Sequence, residues 1–449
     1  MAVQWAKLER ALPGRDTQSN VGTFLSRRAE LSSRMEKLEG RITKALGGEN
    51  RARRAFRITE SDIAKRLRKG EVLIELLKYR HWKKFKDGES EFRYGAVLIV
   101  REDTAFGAKP GKLVWVKLGL SKDIEGKIET LKSLVGVAGA GTKRVLQELH
   151  ESVFAPMEKH LPKGTKTLIV SPDAGLNFLP FSALVDREDK FVCEKYEVLN
   201  VSTGRDLLFG PEGKGPASEE VVLFANPAFG GEGESPVKET ASFDLRSSSR
   251  SAMRDLSFAT LEGSKREAEQ VGRIVSRFGM KPRLVTGGRA TEEALRKVHS
   301  PRILHLATHG FFIPKEELEE KPNRLAFFQK ESRSRASNPM HRSGLALAGA
   351  KRTLELWGEN KPHPANDGIL TAEEAGMLDL SGTWLTVLSA CDTGSGVARA
   401  GEGVLGLRRA FAMAGTQNLL LTLWPVSDDF TKDFMVSFYE EALKTGNAP

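Results

Sequence analysis

The sequence predicts an α/β protein with a mostly parallel sheet flanked by helices, preceded by a mixed α/β region. The first observation is an alternation of short apolar runs with amphipathic stretches between Val221 and Leu443. The second is that the runs are apolar throughout, as in strands buried on both faces. Strands separated by helices need crossover connections, which favour a parallel sheet covered on both sides.

The second half of the chain carries most of this pattern. It predicts strand 221–225, helix 265–278, strand 283–285, helix 291–298, strand 303–307, strand 385–388, helix 403–414, strand 419–424 and helix 428–443. The carboxyl ends of parallel strands lie at one edge of a sheet, where ligands bind in such folds. Side chains that follow strands 303–307 and 385–388 are therefore placed for chemistry.

Residues 58–210 read as the mixed α/β region. They predict strands 72–77, 94–100, 112–116 and 167–170, with helices near 122–135 and 142–160. A turn sequence, Ser171-Pro172-Asp173-Ala174-Gly175, follows the last of these strands.

The remaining boundaries follow from local composition. Residues 1–57 form an N-terminal helical segment whose apolar residues recur every three or four positions: Leu31, Met35, Leu38, Ile42 and Ala45. We expect this helix to dock on its own domain or on a regulatory partner protein. Residues 211–449 form the last part, in which 230–254 is rich in Gly, Ser and charge and predicts a disordered loop.

Composition limits the compartment and the cofactors. The chain has 449 residues, 40% of them hydrophobic, which is enough for a large core in two or three domains. It contains no run long enough to span a membrane and does not start with a secretory signal, so we expect a cytoplasmic protein without membrane contact. Two cysteines far apart in sequence exclude a disulfide framework, and no paired Cys or His spacing predicts a metal.

The charge balance is basic, with a formal net charge of +10. The basic residues are scattered through the chain and no nucleic-acid-binding motif surrounds them. A solvated basic surface is the favoured interpretation, and nucleic-acid binding is the alternative left open.

Two short motifs carry the candidate chemistry. Strand 303–307 runs into Thr308, His309 and Gly310, and strand 385–388 runs into Ser389, Ala390 and Cys391. A thiol and an imidazole are the two parts of an activated cysteine nucleophile. The alternative for each residue alone is a buried packing role, which is common for cysteine.

Several motifs resemble a known family in their order along the chain. They are Ala307-Thr308-His309-Gly310, Gly344 to Ala350, Asp367 to Glu374, Ser389-Ala390-Cys391-Asp392-Thr393-Gly394 and Leu423 to Asp428. This order is similar to that of CHAT domains, caspase-like modules of the caspase, separase and gingipain clan that are often associated with tetratricopeptide repeats. The likeness covers roughly residues 58–445.

The resemblance implies a caspase-like α/β sandwich and a cysteine endopeptidase acting on a protein or peptide substrate without metal or organic cofactor. It implies a dyad of Cys391 as nucleophile and His309 as general base. It also implies an oxyanion hole formed by the N–H groups of Gly310 and Cys391. We assign His305 to packing or to support of the site, and Cys193 to packing. The alternative is an inactive caspase-like module that binds partners.

We also expect a preference for Arg or Lys at the P1 position of the substrate. A pocket for a basic side chain needs a carboxylate, and Ser389 stands where some relatives carry an acidic residue. Asp428 is the leading substitute, followed by Asp392 and Asp367. For Asp428 the alternative is a helix N-cap, and for Asp367 it is the turn that Asp-Gly favours.

One feature departs from the family pattern. CHAT domains usually continue with a further helix and a final strand, whereas this sequence ends soon after helix 428–443. Strand 419–424 is then expected at an exposed sheet edge. This predicts that the chain is a C-terminally truncated fragment.

Overall fold

The computed structural model describes most of the chain from residue 57 onward. The described residues are 57–84, 89–104, 107–111, 113–134, 140–208, 218–230, 258–312, 340, 343–353, 366–389, 398–399, 403–404, 406–422 and 428–444. The predicted N-terminal helix and nearly all of the predicted loop 230–254 lie outside them. Tertiary contacts divide the chain into two units. The first holds Glu49–Gly210 with Val397–Leu405. The second holds the described residues within Pro211–Gly396 and Gly406–Pro449.

The first unit is built on a mixed sheet. Its elements are α1 (Glu60–Arg66), β1 (Glu71–Lys84), β2 (Glu89–Thr104), β3 (Gly107–Pro110), β4 (Val114–Leu120), α2 (Ser121–Leu134), α3 (Ala140–Leu149), α4 (Ala155–Glu158), β5 (Thr167–Ser171), α5 (Val192–Lys195) and β6 (Glu197–Asn200). The strand order is β3-β2-β1-β5-β6, with β4 also paired to β2. β1 and β2 are antiparallel, whereas β5 and β6 run parallel to β1.

Apolar side chains cover both faces of this sheet. On one face, alternate residues of β1 such as Val72 and Ile74 pack with Ile124 and Ile128 of α2. On the other, Leu73 packs with Ile63 and other residues of α1. β1 and β2 stay paired beyond the part of the sheet that the helices cover. Both strands are therefore longer than the predicted strands 72–77 and 94–100.

The second unit is built on a fully parallel sheet. Its elements are β7 (Glu220–Pro227), α6 (Glu262–Arg277), β8 (Lys281–Gly287), α7 (Glu292–Arg296), β9 (Ile303–Ala307), β10 (Gly310–Phe312), β11 (Ser343–Ala346), β12 (Ile369–Thr371), α8 (Ala372–Ala375), β13 (Leu385–Leu388), α9 (Leu407–Ala414), β16 (Asn418–Leu421) and α10 (Asp428–Lys444). The strand order is β16-β13-β9-β7-β8. Every pairing in it is parallel.

Helices cover both faces of the parallel sheet. Ile303 and Val387 face α6 and α10. Leu304, Leu306 and Leu388 face the layer that contains α8 and α9. The strands are uniformly apolar because both of their faces are buried. The predicted fold class, a mostly parallel sheet flanked by helices after a mixed α/β region, is confirmed.

Two small antiparallel pieces complete the described structure. β10, β11 and β12 form a three-stranded sheet. β14 (Ala398–Arg399) and β15 (Gly403–Val404) form a two-stranded hairpin that groups with the first unit. The predicted helix 403–414 was therefore too long, since α9 begins at Leu407. Gly406 before it has a φ of 120°, which a continuing helix cannot accept.

The parallel sheet ends at β16 among the described strands, as expected for strand 419–424. Its leucines are half-buried, in contrast to the buried leucines of β13. No helix in the described part of the chain is both long and apolar enough to cross a membrane.

Candidate active site

The first component of the site lies at the carboxyl end of β9. All five residues of this strand are buried, and the chain continues through Thr308, whose hydroxyl donates to the carbonyl of Ala346 in β11. The carbonyl of His309 accepts from the N–H of the same Ala346 at 2.8 Å. These two bonds hold the strand end firmly against β11.

The ring of His309 has a defined orientation. Its Nε2 lies 2.9 Å from the carbonyl oxygen of Ala259, in the segment just before α6. Because a carbonyl can only accept, Nε2 carries the hydrogen in this contact. In the neutral ring Nδ1 is then the basic nitrogen, the one able to take a proton from a thiol.

Aromatic side chains surround the His309 ring. Its centroid lies 5.1 Å from that of Phe229 and 5.7 Å from that of Phe258. Both phenylalanines belong to a small buried cluster with Phe311 of β10. The imidazole thus lies between an apolar wall and the Ala259 carbonyl, which restricts its rotation.

Gly310 opens β10 directly after the histidine. Gly310 lies opposite Leu345, and the neighbouring His309–Ala346 pair is hydrogen-bonded. Hydrogen-bonded and non-hydrogen-bonded pairs alternate along an antiparallel ladder. The N–H of Gly310 therefore points away from β11 and takes no part in that ladder.

The second component follows β13, the strand next to β9. Leu388 lies opposite Leu306, and the N–H of Ser389 donates to the carbonyl of Leu306 at 3.0 Å. Cys391 and Asp392 lie outside the described residues. The register nevertheless brings Ser389, two residues before Cys391, to the level of Ala307, the last residue of β9. Neighbouring strands of a sheet are about 4.8 Å apart.

Two of the acidic residues considered for substrate binding are described. Asp367 is fully buried, and its Oδ1 accepts from the N–H of Ile369 at 2.9 Å. Its own carbonyl accepts from Thr353, and Gly368 has a φ of 75°. This is the turn arrangement that Asp-Gly favours. Asp428 is the first residue of α10.

His305, on the same strand as the site, belongs to a buried polar network. Its Nε2 lies 2.9 Å from Oε1 of Glu267 in α6, a close contact that is not aligned as a hydrogen bond, and its Nδ1 is hydrogen-bonded to Oη of Tyr439 in α10 at 3.1 Å. Burial, and then the Glu267 carboxylate, raise the pKa of Tyr439 well above its ordinary value, so the hydroxyl stays protonated. We refer to these three residues as the buried triad.

Cys193 corrects one prediction. It was assigned to packing, but its side chain is exposed. It lies on the four-residue helix α5, in which Val192 is the buried residue. A helix this short buries little, and the cysteine is on the outside.

Several residues around the site escaped the sequence analysis. Ala259 and Phe258 precede α6 in a stretch without periodicity, and Phe229 lies beyond the predicted strand 221–225 with no sign of its role. Glu267 and Tyr439 lie at buried positions of helices, where nothing in the local pattern marks a polar contact. Within the described residues, no group of three or more His, Cys, Asp or Glu side chains could hold a metal ion.

Comparison with known proteins identifies the family of this chain. The family model described as the CHAT domain matches residues 143–449, well over half of the chain. No curated protein matches the chain significantly. The matched range includes β9, β13 and the motifs that follow them. The chain therefore belongs to the CHAT domain family, whose members have a caspase-like fold.

Proposed function

We propose that this protein is a cysteine endopeptidase that hydrolyses peptide bonds with Cys391 as nucleophile and His309 as general base. The observation that carries the proposal is the orientation of His309 at the end of β9. Its Nε2–H donates to the Ala259 carbonyl, so its basic nitrogen is Nδ1. The adjacent strand β13 leads into Cys391.

The chemistry begins with a proton transfer. The thiol of Cys391 gives its proton to Nδ1 of His309, and the thiolate attacks the carbonyl carbon of the scissile peptide bond. The carbonyl oxygen becomes an oxyanion, which the N–H groups of Gly310 and Cys391 stabilise. The imidazolium then protonates the leaving amine, and the C–N bond breaks to leave a thioester.

Water completes the cycle. His309 takes a proton from a water molecule, whose oxygen attacks the thioester carbon. Collapse of this second intermediate releases the acid product, and the thiolate is regenerated. The Ala259 carbonyl stabilises the imidazolium that forms in both halves of the reaction, because it accepts a hydrogen bond from Nε2 throughout.

The test is labelling of the purified protein with acyloxymethyl ketone probes that carry Arg, Lys, Leu or Asp at P1. We expect one thiol to be labelled. Cys391→Ala should abolish this labelling because it removes the nucleophile, and His309→Ala should lower it by about 10² to 10⁴-fold. Cys193→Ser and His299→Ala are the matched controls, since Cys193 is the exposed second thiol and His299 is an exposed histidine.

The outcomes separate the candidate functions. Labelling that persists in His309→Ala contradicts the dyad. No labelling by any probe, in a folded protein, favours the inactive partner-binding module instead. The spread of labelling across the four probes tests the basic P1 preference, and Asp428→Asn tests the residue that we propose to recognise it.

Regulation is a second part of the proposal. The apolar stripe from Leu31 to Ala45 predicts a helix that a partner protein covers. Deletion of residues 1–50 is expected to alter the response to a regulator more than basal labelling of Cys391. Equal loss of basal labelling and of regulation would contradict this role.

A further inference from the structure

We propose that Glu267, His305 and Tyr439 are positioning residues that set the reactivity of Cys391, by fixing α6 against β9 so that the segment before α6 holds His309 in its working orientation. The inference rests on the proposed function.

The buried triad joins three elements. Glu267 lies on α6, His305 on β9 and Tyr439 on α10, and their side chains are 2%, 0% and 0% exposed. Both ring nitrogens of His305 face a polar atom of a different helix, at 2.9 Å and 3.1 Å. A single side chain of the central strand therefore contacts both helices that cover this face of the sheet.

Apolar side chains pack around the triad. Val271 and Ile274 of α6 and Met435 of α10 pack in the same cluster. Burying a carboxylate in such a core is costly, and an apolar replacement of similar volume is often as stable or more stable. The triad is therefore poorly explained by stability alone, whereas polar contacts with fixed partners specify one register of helix on strand.

The register of α6 matters because the segment before it contacts the catalytic histidine. Ala259 and Phe258 lie in the segment before the helix and contact the His309 ring. Asn226, in β7, accepts the N–H of Leu261 at 2.9 Å and so fixes the same segment from the adjacent strand.

Two polar contacts therefore hold the first half of α6. One, through Asn226, lies at its amino-terminal end, and the other is made by Glu267. Loss of the second contact lets this half of the helix shift along β9. A shift of a few tenths of an ångström lengthens the hydrogen bond between the Ala259 carbonyl and His309. The imidazolium is then less stable, and it stabilises the Cys391 thiolate less.

The experiment measures the pH dependence of Cys391 alkylation by iodoacetamide, in a Cys193→Ser background that leaves a single thiol. The rate follows the thiolate fraction, so the midpoint reports the pKa of the Cys391 thiol. His309→Ala is expected to raise this midpoint by about 1 to 3 pH units, because it removes the adjacent cation.

The test variants change the triad with little loss of volume. Glu267→Gln removes the carboxylate charge, and Tyr439→Phe removes only the hydroxyl. We expect Glu267→Gln to raise the midpoint by about half a pH unit and Tyr439→Phe to raise it by less, because a charged contact contributes more than a neutral one.

Ile274→Val is the matched control, since it weakens the packing of α6 in the same cluster without touching a polar group. It is expected to lower the melting temperature as Glu267→Gln does, but to leave the alkylation midpoint in place. A midpoint that moves equally in Ile274→Val and Glu267→Gln would show that only stability changed, and would overturn the inference.

The two proposals fail in different ways. If His309→Ala does not move the midpoint, the dyad itself is wrong. If His309→Ala moves the midpoint and both triad variants have the same midpoint as the parent protein, the dyad stands and the positioning role is wrong.

Discussion

Each unit of the protein buries a histidine, and the two are held in different ways. His150 in the first unit is 4% exposed, and its ring centroid lies 5.4 Å from that of Phe154. His305 in the second unit is fully buried, and each of its ring nitrogens faces a polar atom. The first ring fills space, whereas the second links three elements.

The difference shows what a buried polar residue can indicate. Burial lowers the pKa of His150, which favours the neutral ring and suits an aromatic packing role. In the second unit the polar contacts of His305 run from helix to strand, and that strand leads into His309. Burial alone does not distinguish the two histidines, but their partners do.

The largest expected difference comes from replacing each histidine by phenylalanine. His305→Phe leaves the Glu267 carboxylate in the core without its partner, which should cost about 3 to 5 kcal/mol. His150→Phe keeps an aromatic ring against Phe154 and should cost less than about 1 kcal/mol. Chemical denaturation measures both, and equal costs would contradict the distinction between the two sites.

A smaller loss of stability is expected when a buried hydroxyl is removed from the first unit. Tyr94 is fully buried, its hydroxyl donates to Oε1 of Glu125 at 2.6 Å and it accepts the N–H of Gly175 at 2.9 Å. Tyr94→Phe removes both bonds and should destabilise the first unit by about 1 to 3 kcal/mol. Tyr79→Phe, at a half-buried tyrosine of β1, is the control and should change little.

This variant also tests the separation of roles. Since Tyr94 holds a loop of the first unit, Tyr94→Phe should leave the pH midpoint of Cys391 alkylation unchanged in the folded protein. A shift as large as that of Glu267→Gln would mean that reactivity follows general stability.

The smallest expected effect is a dependence of stability on pH. Burial holds the pKa of His150 below its ordinary value of 6.5, so below that pH the unfolded chain binds a proton that the folded chain does not. The first unit should therefore lose stability as the pH falls from 7.5 to 5.5. His150→Phe should reduce this slope, which thermal melts across that range measure, and an unchanged slope would assign it to other groups.

The sequence predicted the central strands well because their signal is local. Strands 303–307 and 385–388 are observed with the predicted bounds. A strand buried on both faces is a continuous apolar run, and short runs bounded by small residues are easily recognised. The start of α9 was missed because Gly403 and Gly406 interrupt a helix that the periodicity extended too far.

The candidate site was only partly predictable. His309 was identified from the motif at the end of its strand, and the sequence placed Cys391 at the end of another. The Ala259 carbonyl, the rings of Phe229 and Phe258 and the triad partners of His305 left no local signal. A backbone acceptor can come from any residue, and a helix position that faces the core looks the same whether its neighbour is apolar or polar.

The sequence by itself determined the fold class and the family, and it singled out His309 and Cys391 as candidates, because these inferences depend on periodicity and on short contiguous motifs. Only the tertiary structure decided that β9 and β13 are neighbours and which atom orients the His309 ring. It also decided that Glu267 and Tyr439 converge on His305. The physical reason is that strand order, register and helix placement arise from pairing and packing between segments far apart in the chain, and local sequence carries no record of the partner.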